Sequence, residues 1–260
     1  MLLSGKIAII TGTNRGIGRA LLETFAANGA SIYAHTRTET AEFLRHARSL
    51  AEKHGVGIWP LFFDLTDYEA MKSAVREIML SKRQVDILVN NAGITGEGSS
   101  FLMTPIDRMK SVYEVNFFAQ MALTQYVARL MIRKKSGSII NISSFTALDG
   151  TLAEVEYASS KAALIGAAKK LSIELGEYCI RVNTIAPGVV DTDMACKIDD
   201  TIKNEIIRSA VIKRMATPLE IANAALFLAS GLSGYITGQV IRVDGGLYPG
   251  KASLIRERNV

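Results

Sequence analysis

The stretch Thr11-Gly12-Thr13-Asn14-Arg15-Gly16-Ile17-Gly18 decides the fold, through what stands on either side of it. Before it, Ile7 to Ile10 is a short apolar run; after it, an amphipathic stretch continues through Asn28 and stops at Gly29. That order reads as strand, loop, helix. Glycines let the chain turn tightly, bring backbone close to a pyrophosphate, and let the helix pack against the sheet, while the helix N-terminus supplies N–H groups and a partial positive charge. The spacing is Gly-x-x-x-Gly-x-Gly rather than the commoner Gly-x-Gly-x-x-Gly, and its place after the first strand is what points to a dinucleotide. The candidate contacts are Gly12, Thr13, Asn14, Arg15, Gly16, Ile17 and Gly18.

Outward from this loop the same unit repeats. Ser31 to His35 reads as a second strand, Thr40 to His54 as a helix stopped by Gly55, and Gly57 to Phe63 as a third strand. Asp67 to Ser81 is helical, Val85 to Val89 is a buried strand, and Asp107 to Lys135 is a long helical region. Ser138 to Ile142, Arg181 to Ile185 and Val240 to Val243 complete the strands, with helices at Tyr157 to Glu177 and Pro218 to Ser230. Alternation with short connections predicts an α/β, single-domain, doubly wound Rossmann fold with a central parallel sheet of about seven strands. The domain is expected over residues 1–250, with 191–215 as a substrate-covering loop and 251–260 as a C-terminal tail.

Composition narrows the function. With 48% hydrophobic and 21% charged residues, a disordered or low-complexity chain is excluded. Thirty Lys and Arg against 25 Asp and Glu leave a net charge of +5, but the densest basic clusters, Arg133-Lys134-Lys135 and Lys169-Lys170, are short and carry no interleaved aromatics. Nucleic acid is therefore not expected as a partner. Cys179 and Cys196 have no thiol or histidine at metal-ligand spacing, so neither a disulfide scaffold nor a metal site is expected, and a reducing cytoplasm fits best. No segment approaches the roughly 18 uninterrupted apolar residues needed to span a bilayer, and no export signal is visible at the N-terminus.

Cofactor choice turns on the end of the second strand. An NAD-preferring site would place a carboxylate there for the adenosine ribose; here the residues are His35-Thr36-Arg37. Arg37 can make charge-assisted bonds to a 2'-phosphate, and Arg15 is expected to approach the same group, so NADPH is favoured. Two alternatives stand beside this: Arg37 as a solvated loop residue, and Glu39 swinging in to restore NAD.

Ser144, Tyr157 and Lys161 carry the sharpest chemical signal. Tyr157 and Lys161 are four apart at the start of a predicted helix and so share a face. A free tyrosine titrates near 10, and a neighbouring ammonium favours its phenolate, so Lys161 is expected to lower the Tyr157 pKa toward neutrality. Ser144, just past a strand end, can donate a hydrogen bond to a substrate carbonyl.

With these residues in order, the sequence resembles the short-chain dehydrogenase/reductase family from Lys6 to about Tyr248. The resemblance rests on Thr11 to Gly18, Asp64, Asn90-Asn91-Ala92-Gly93, Asn116, Ser144, Tyr157 with Lys161, Pro187-Gly188 and Thr192. It implies that Asp64 holds the adenine amino group with Leu65 backbone beside it, and that Asn90 lies against the adenosine ribose. Asn91, Ala92 and Gly93 would support the sheet and line the cleft. It further implies that Asn116 holds a relay water for Lys161 at a helix irregularity, and that Pro187, Gly188, backbone at Val190 and the Thr192 hydroxyl hold the nicotinamide end. Tyr157 becomes the general acid, Lys161 bonds the cofactor ribose, and Ser144 orients the carbonyl.

Within the family the chain is most similar to 3-oxoacyl-acyl-carrier-protein reductases, which implies a ketone or acyl-carrier-protein thioester as substrate and a homotetramer or dimer. Three segments depart from that pattern: Glu177-Tyr178-Cys179, Gly96 to Thr104 with Glu97, and the basic tail Lys251 to Val260. They keep open a sugar, a polyol or another small ketone as substrate. Because fold alone does not establish function, a non-catalytic dinucleotide sensor stands as a further alternative.

Overall fold

A strand covered on both faces has no polar side, which is why the central strands read as unbroken apolar runs. In β1 (Ile7–Thr11), Ala8 and Ile10 enter one core cluster and Ile9 the other. The computed structural model describes residues 1–96, 98, 100–149 and 154–247, so Glu97, Tyr248 and the expected tail 251–260 lie outside the described residues. β1 joins β2 (Ser31–Thr36), β3 (Ile58–Phe62), β4 (Ile87–Asn90), β5 (Gly137–Ile142), β6 (Ile180–Pro187) and β7 (Val240–Val243) in one sheet. All pairings are parallel, in the order β3-β2-β1-β4-β5-β6-β7. This is the predicted doubly wound fold, and its order reverses between β1 and β4, where a ligand crevice opens.

Helices cover both faces. α1 (Gly16–Ala27), α2 (Ala41–His54) and α8 (Pro218–Ala229) enclose a core of Leu21, Phe25, Phe43, Ile221 and Leu228 with Ile10, Val89, Ile140 and Ile185. On the other face α3 (Tyr68–Leu80), α5 (Ala119–Lys134) and α6 (Val155–Glu174) pack Met71, Ile78, Leu123, Met131 and Ala168 against Ile9, Leu88, Ile139 and Val182. Helix starts follow local chemistry: Thr40 caps α2, Asp67 caps α3, and Thr217 with Glu220 forms a capping box on α8. The N-terminus of α1 differs, having no side-chain cap and no acidic residue in its first turn. Its N–H donors are left for something else.

The helical region expected over 107–135 is helical throughout, with the irregularity at Asn116: α4 (Ile106–Tyr113) passes through a π-turn at Glu114–Phe118 into α5, and the turn presents the Asn116 amide to the Ile94 backbone. One expectation is corrected. The segment 191–215 is not purely loop, since it holds a 3₁₀ turn at Ala195–Lys197 and α7 (Asp200–Ser209). Asp199 caps α7 through the amides of Thr201 and Ile202, and Ile206 and Ala210 pack toward Val189, Leu247 and Phe145. No helix among the described residues is long and apolar enough to cross a membrane.

The tightest contact is where α1 lands on β1. A Cβ on Gly18 would sit 1.8 Å from the Gly12 carbonyl oxygen, whereas one on Gly231 meets nothing within 4 Å. Gly18→Ala is therefore expected to cost about 1–3 kcal/mol in urea denaturation, and Gly231→Ala to stay within about 0.5 kcal/mol of the parent. Equal stability of the two variants would contradict the contact.

Candidate active site

The site is built from strand ends. Thr11 closes β1 fully buried, its hydroxyl accepting from the amides of Asn91 (2.9 Å) and Ala92 (3.0 Å), while Asn91 Nδ2 donates to the Thr11 carbonyl at 2.8 Å. The end of β1 is thereby joined to the segment after β4. Above this join the chain turns through Gly12 at φ +72° and Gly16 at φ +53°, a conformation that side chains rarely adopt. A Cβ on Gly12 would meet Ala92 at 3.1 Å, and one on Gly16 would meet Thr192 Cγ2 at 3.1 Å. The loop, the 90–93 segment and the 190–192 segment thus face one another across one cleft.

The cleft fits a dinucleotide: a cradle that Cβ atoms would fill, at an uncapped helix N-terminus without carboxylates. Asn14 and Arg15 are exposed on the loop, and Ile17 is partly buried against the core. Thr13 turns inward, its amide and hydroxyl both donating to the His35 carbonyl. At the next strand ends, Arg37 and Asp64 are exposed near each other, and Leu65 is buried in the core. Hydrogen bonds from the Thr66 amide and hydroxyl, with the Arg37 charge adding to them, hold the Asp64 carboxyl below its usual range.

Three expected contacts take a different form. Asn90 is fully buried and donates to Thr124 Oγ1 and Asn141 Oδ1 at 2.8 Å, so its side-chain nitrogen ties the sheet together from beneath the cleft. Arg15 lies against Asp193 at 3.2 Å, drawn across the cleft mouth by an opposite charge instead of toward Arg37. At Gly188 a Cβ would press 2.8 Å from Asp244 Cα, so this glycine serves the close approach of β6 and β7. Pro187 ends β6, Val190 pairs with Ala216, and the Thr192 hydroxyl donates to the Val190 carbonyl at 3.2 Å.

Ser144, Tyr157, Lys161 and Asn116 come together as expected. Ser144 Oγ accepts from the Thr146 amide (3.2 Å) and the Thr146 hydroxyl (2.9 Å), which leaves its own proton to donate. It is hydrogen-bonded to Tyr157. Lys161 is 3% exposed, donates from Nζ to the Ile142 carbonyl at 2.9 Å, and stands 5.9 Å from the centre of the Tyr157 ring. Gly93 makes room for it: a Cβ there would lie 3.1 Å from both Lys161 Nζ and Asn116 Oδ1. Asn116 is fully buried, bonded to both backbone groups of Ile94 and to Ser160 Oγ.

The electrostatics overturn one expectation. Tyr157 is pushed up to about 12, chiefly by burial, with the Glu154 charge adding and the Ser144 bond opposing. Lys161 is pushed down to about 8 by burial. Desolvation outweighs mutual assistance because the ammonium is directed at the Ile142 carbonyl. Tyr157 is thus held as a protonated acid.

Sequence reading missed Thr11 as a hub, His35 beneath the glycine loop, Gln120, which donates to the Ala92 carbonyl, and Ser143, which donates to the Lys161 carbonyl. Thr11 and His35 stood within stretches already singled out, at the first two strand ends; Ser143 and Gln120 gave no local signal.

Fold and site together define an oxidoreductase of the dinucleotide-binding α/β class. A family model described as enoyl-(acyl carrier protein) reductase matches residues 12–248. The 3-oxoacyl-(acyl-carrier-protein) reductase FabG of Chlamydia muridarum is 40% identical over 246 residues, covering 95% of this chain and 98% of that one. A crystal structure of a 3-oxoacyl-(acyl-carrier protein) reductase with bound NAD from Brucella melitensis matches with a TM-score of 0.85 at 31% identity, over 95% of this chain and 92% of that one. A second, named as an NAD(P)-dependent gluconate 5-dehydrogenase from Beutenbergia cavernae with NADP bound at low occupancy, has a TM-score of 0.87 at 34% identity, over 94% and 97%. The chain belongs to the short-chain dehydrogenase/reductase family.

The buried ammonium has a measurable consequence. Lys161 holds its proton less firmly in the folded chain than in the unfolded one, where the ordinary value is 10.5, so the unfolded state binds more protons between about 8 and 10.5. Stability therefore rises with pH across that window. Lys161→Met is expected to stabilise the ligand-free protein at pH 7 by up to about 2 kcal/mol and to lose that advantage by pH 10. Denaturation at the two pH values checks this.

Proposed function

We propose that this chain reduces a ketone with hydride from a nicotinamide dinucleotide, and that its substrate is a 3-oxoacyl thioester carried on acyl carrier protein. The observation that carries the reading is the Ser144–Tyr157 hydrogen bond with Lys161 on the same helix, opening on the cleft that holds the glycine cradle. Relatives at 40% identity over nearly the full length support the substrate class.

The dinucleotide, when bound, supplies the hydride. Gly12 to Gly18 and the open end of α1 would hold its pyrophosphate, Asp64 and the Leu65 main chain its adenine, the main chain at Asn90 the adenosine ribose, and Ala92 and Gly93 the cleft wall. Val190 and Thr192 would hold the nicotinamide end, and Lys161 its ribose. Ser144, with both acceptor positions filled by Thr146, donates to the substrate carbonyl and fixes it. Tyr157 gives its proton to the same oxygen, and its raised pKa keeps that proton available through the neutral range. Asn116 fixes the wall at Ile94, and the π-turn around it would hold a relay water for Lys161. Residues 191–215, with α7, cover the substrate.

NADPH is the proposed cofactor. Arg37 is exposed just past the end of β2, where a guanidinium can pair with a 2'-phosphate. Arg15 is a weaker second: its ion pair with Asp193 joins groups that are each 70% exposed, and such pairs contribute only about 0–1 kcal/mol. A homotetramer or dimer through α5 and α6 belongs to the same reading, supported by Phe118 beside α5 and Ile173 on α6, both exposed. The gluconate 5-dehydrogenase likeness favours a polyhydroxy ketone as the second reading.

Tyr157→Phe is expected to lower ketone-dependent NADPH oxidation by at least about 100-fold while cofactor affinity stays unchanged. Unaltered turnover would remove the proposed mechanism, and a panel pairing acetoacetyl thioesters with sugar ketones separates the two substrate readings. Arg37→Ala should weaken NADPH about 10- to 100-fold and leave NADH nearly untouched. A parent enzyme that prefers NADH would refute the role of Arg37.

A further inference from the structure

His35 lies directly beneath the phosphate-binding loop, 2% exposed, and both of its ring nitrogens are engaged. Nε2 is 2.9 Å from the Phe63 carbonyl, and the Gly12 amide points at Nδ1 from 3.4 Å. A carbonyl can only accept, so Nε2 must carry the ring proton; in the neutral ring Nδ1 is then a bare acceptor, and the Gly12 N–H fills it. The same residue's carbonyl accepts from the Thr13 amide at 2.9 Å and the Thr13 hydroxyl at 3.1 Å. The ring is further fixed against Phe63, with centroids 4.3 Å apart. His35 therefore holds both residues that open the glycine turn.

We propose that His35 is a positioning residue for the dinucleotide: its neutral Nε2–H form, selected by the Phe63 carbonyl, holds the Gly12 amide in the conformation that receives the pyrophosphate, and protonation of the ring releases it. The imidazolium has donors at both nitrogens, so Nδ1–H would confront the Gly12 N–H with no acceptor between them. Burial keeps the ring below its ordinary value of 6.5, opposed by the Phe63 bond and by the Asp64 charge, so the ring is neutral at pH 7. The charged groups that bear on this locality are Asp64, after β3, and Arg37, past the end of β2. The Asp64 carboxyl titrates below its ordinary 3.8, outside the window in which His35 gains its proton. Because the folded value is the lower one, the hold is fully present above 6.5 and is lost as pH falls through the depressed value.

The inference rests on reading Gly12 to Gly18 as a dinucleotide cradle, and the experiment separates the two. Affinities for NADH and NADPH are measured by nicotinamide fluorescence from pH 8 to pH 5. NADH is the decisive ligand, because a 2'-phosphate itself titrates near 6. The parent protein should bind NADH with constant affinity down to about pH 6.5 and lose about tenfold once the ring is protonated at lower pH. His35→Phe keeps the ring packing and removes both hydrogen bonds; it should bind NADH about tenfold more weakly at pH 7.5 and show no further acid loss. Nitrogen-15 spectra of the ligand-free parent should show the Nε2–H tautomer at pH 7.5. A flat parent profile, an unchanged NADH affinity or an intact acid loss in His35→Phe, or an Nδ1–H tautomer, would each overturn the proposal. If His35→Phe does not fold, the parent titration and the tautomer decide it. Absence of binding by either dinucleotide at every pH would refute the cradle itself.

Discussion

Where the strand order reverses between β1 and β4, the two strand ends diverge and their backbone groups lose the partners that a continuous sheet would give them. The Thr11 hydroxyl and the Asn91 amide meet that need from side chains, accepting the amides of Asn91 and Ala92 and donating to the carbonyls of Thr11 and Gly12. Everything chemical sits on this closure. It fixes where the glycine turn begins and where Ala92 and Gly93 stand, and through Gly93 it fixes how near Lys161 and Asn116 come to the cleft. The gap that costs the sheet its hydrogen bonds is also the opening into which a ligand fits.

The second determinant is burial. Lys161 and Tyr157 share a helix face, and their proximity invites the view that the ammonium draws the phenol toward ionisation. The positions of their polar atoms argue otherwise in the ligand-free chain. Lys161 Nζ bonds the Ile142 carbonyl, Tyr157 is bonded to Ser144, and both groups are forced toward their neutral forms by desolvation. A tyrosine kept protonated suits the giving of a proton to a carbonyl. Glu154 strengthens that bias, since its charge opposes formation of a phenolate.

The architecture was legible because parallel strands covered on both faces yield continuous apolar runs, and because Thr40, Gly55, Asp67 and Thr217 announce helix ends by local chemistry. The grouping of Tyr157, Lys161 and Ser144 was legible because the first two are related by helix spacing and Ser144 by the end of a strand. What escaped was set by distant partners. Arg15 and Asp193 are 178 residues apart, and Asn90 meets Thr124 and Asn141 only in the folded sheet. α7 was a different case: Asp199 with Ile202, Ile206 and Ile207 carries a cap and helical spacing, obscured by the polar residues around it.

The two lips of the cleft already touch without a ligand. Thr192 lies so near Gly16 that a single added carbon would be crowded, and Arg15 reaches Asp193 just beyond. A cradle held this close is organised for a pyrophosphate before one arrives, which lowers the ordering that binding must impose. The contact that closes it is a largely solvated ion pair, so separating the lips requires little work. A phosphate entering between them offers Arg15 a stronger partner than Asp193 and leaves Asp193 unpaired on the segment that leads into α7. On the proposed reading, one arginine of the glycine loop and one aspartate of the segment before α7 would respond to the same bound phosphate.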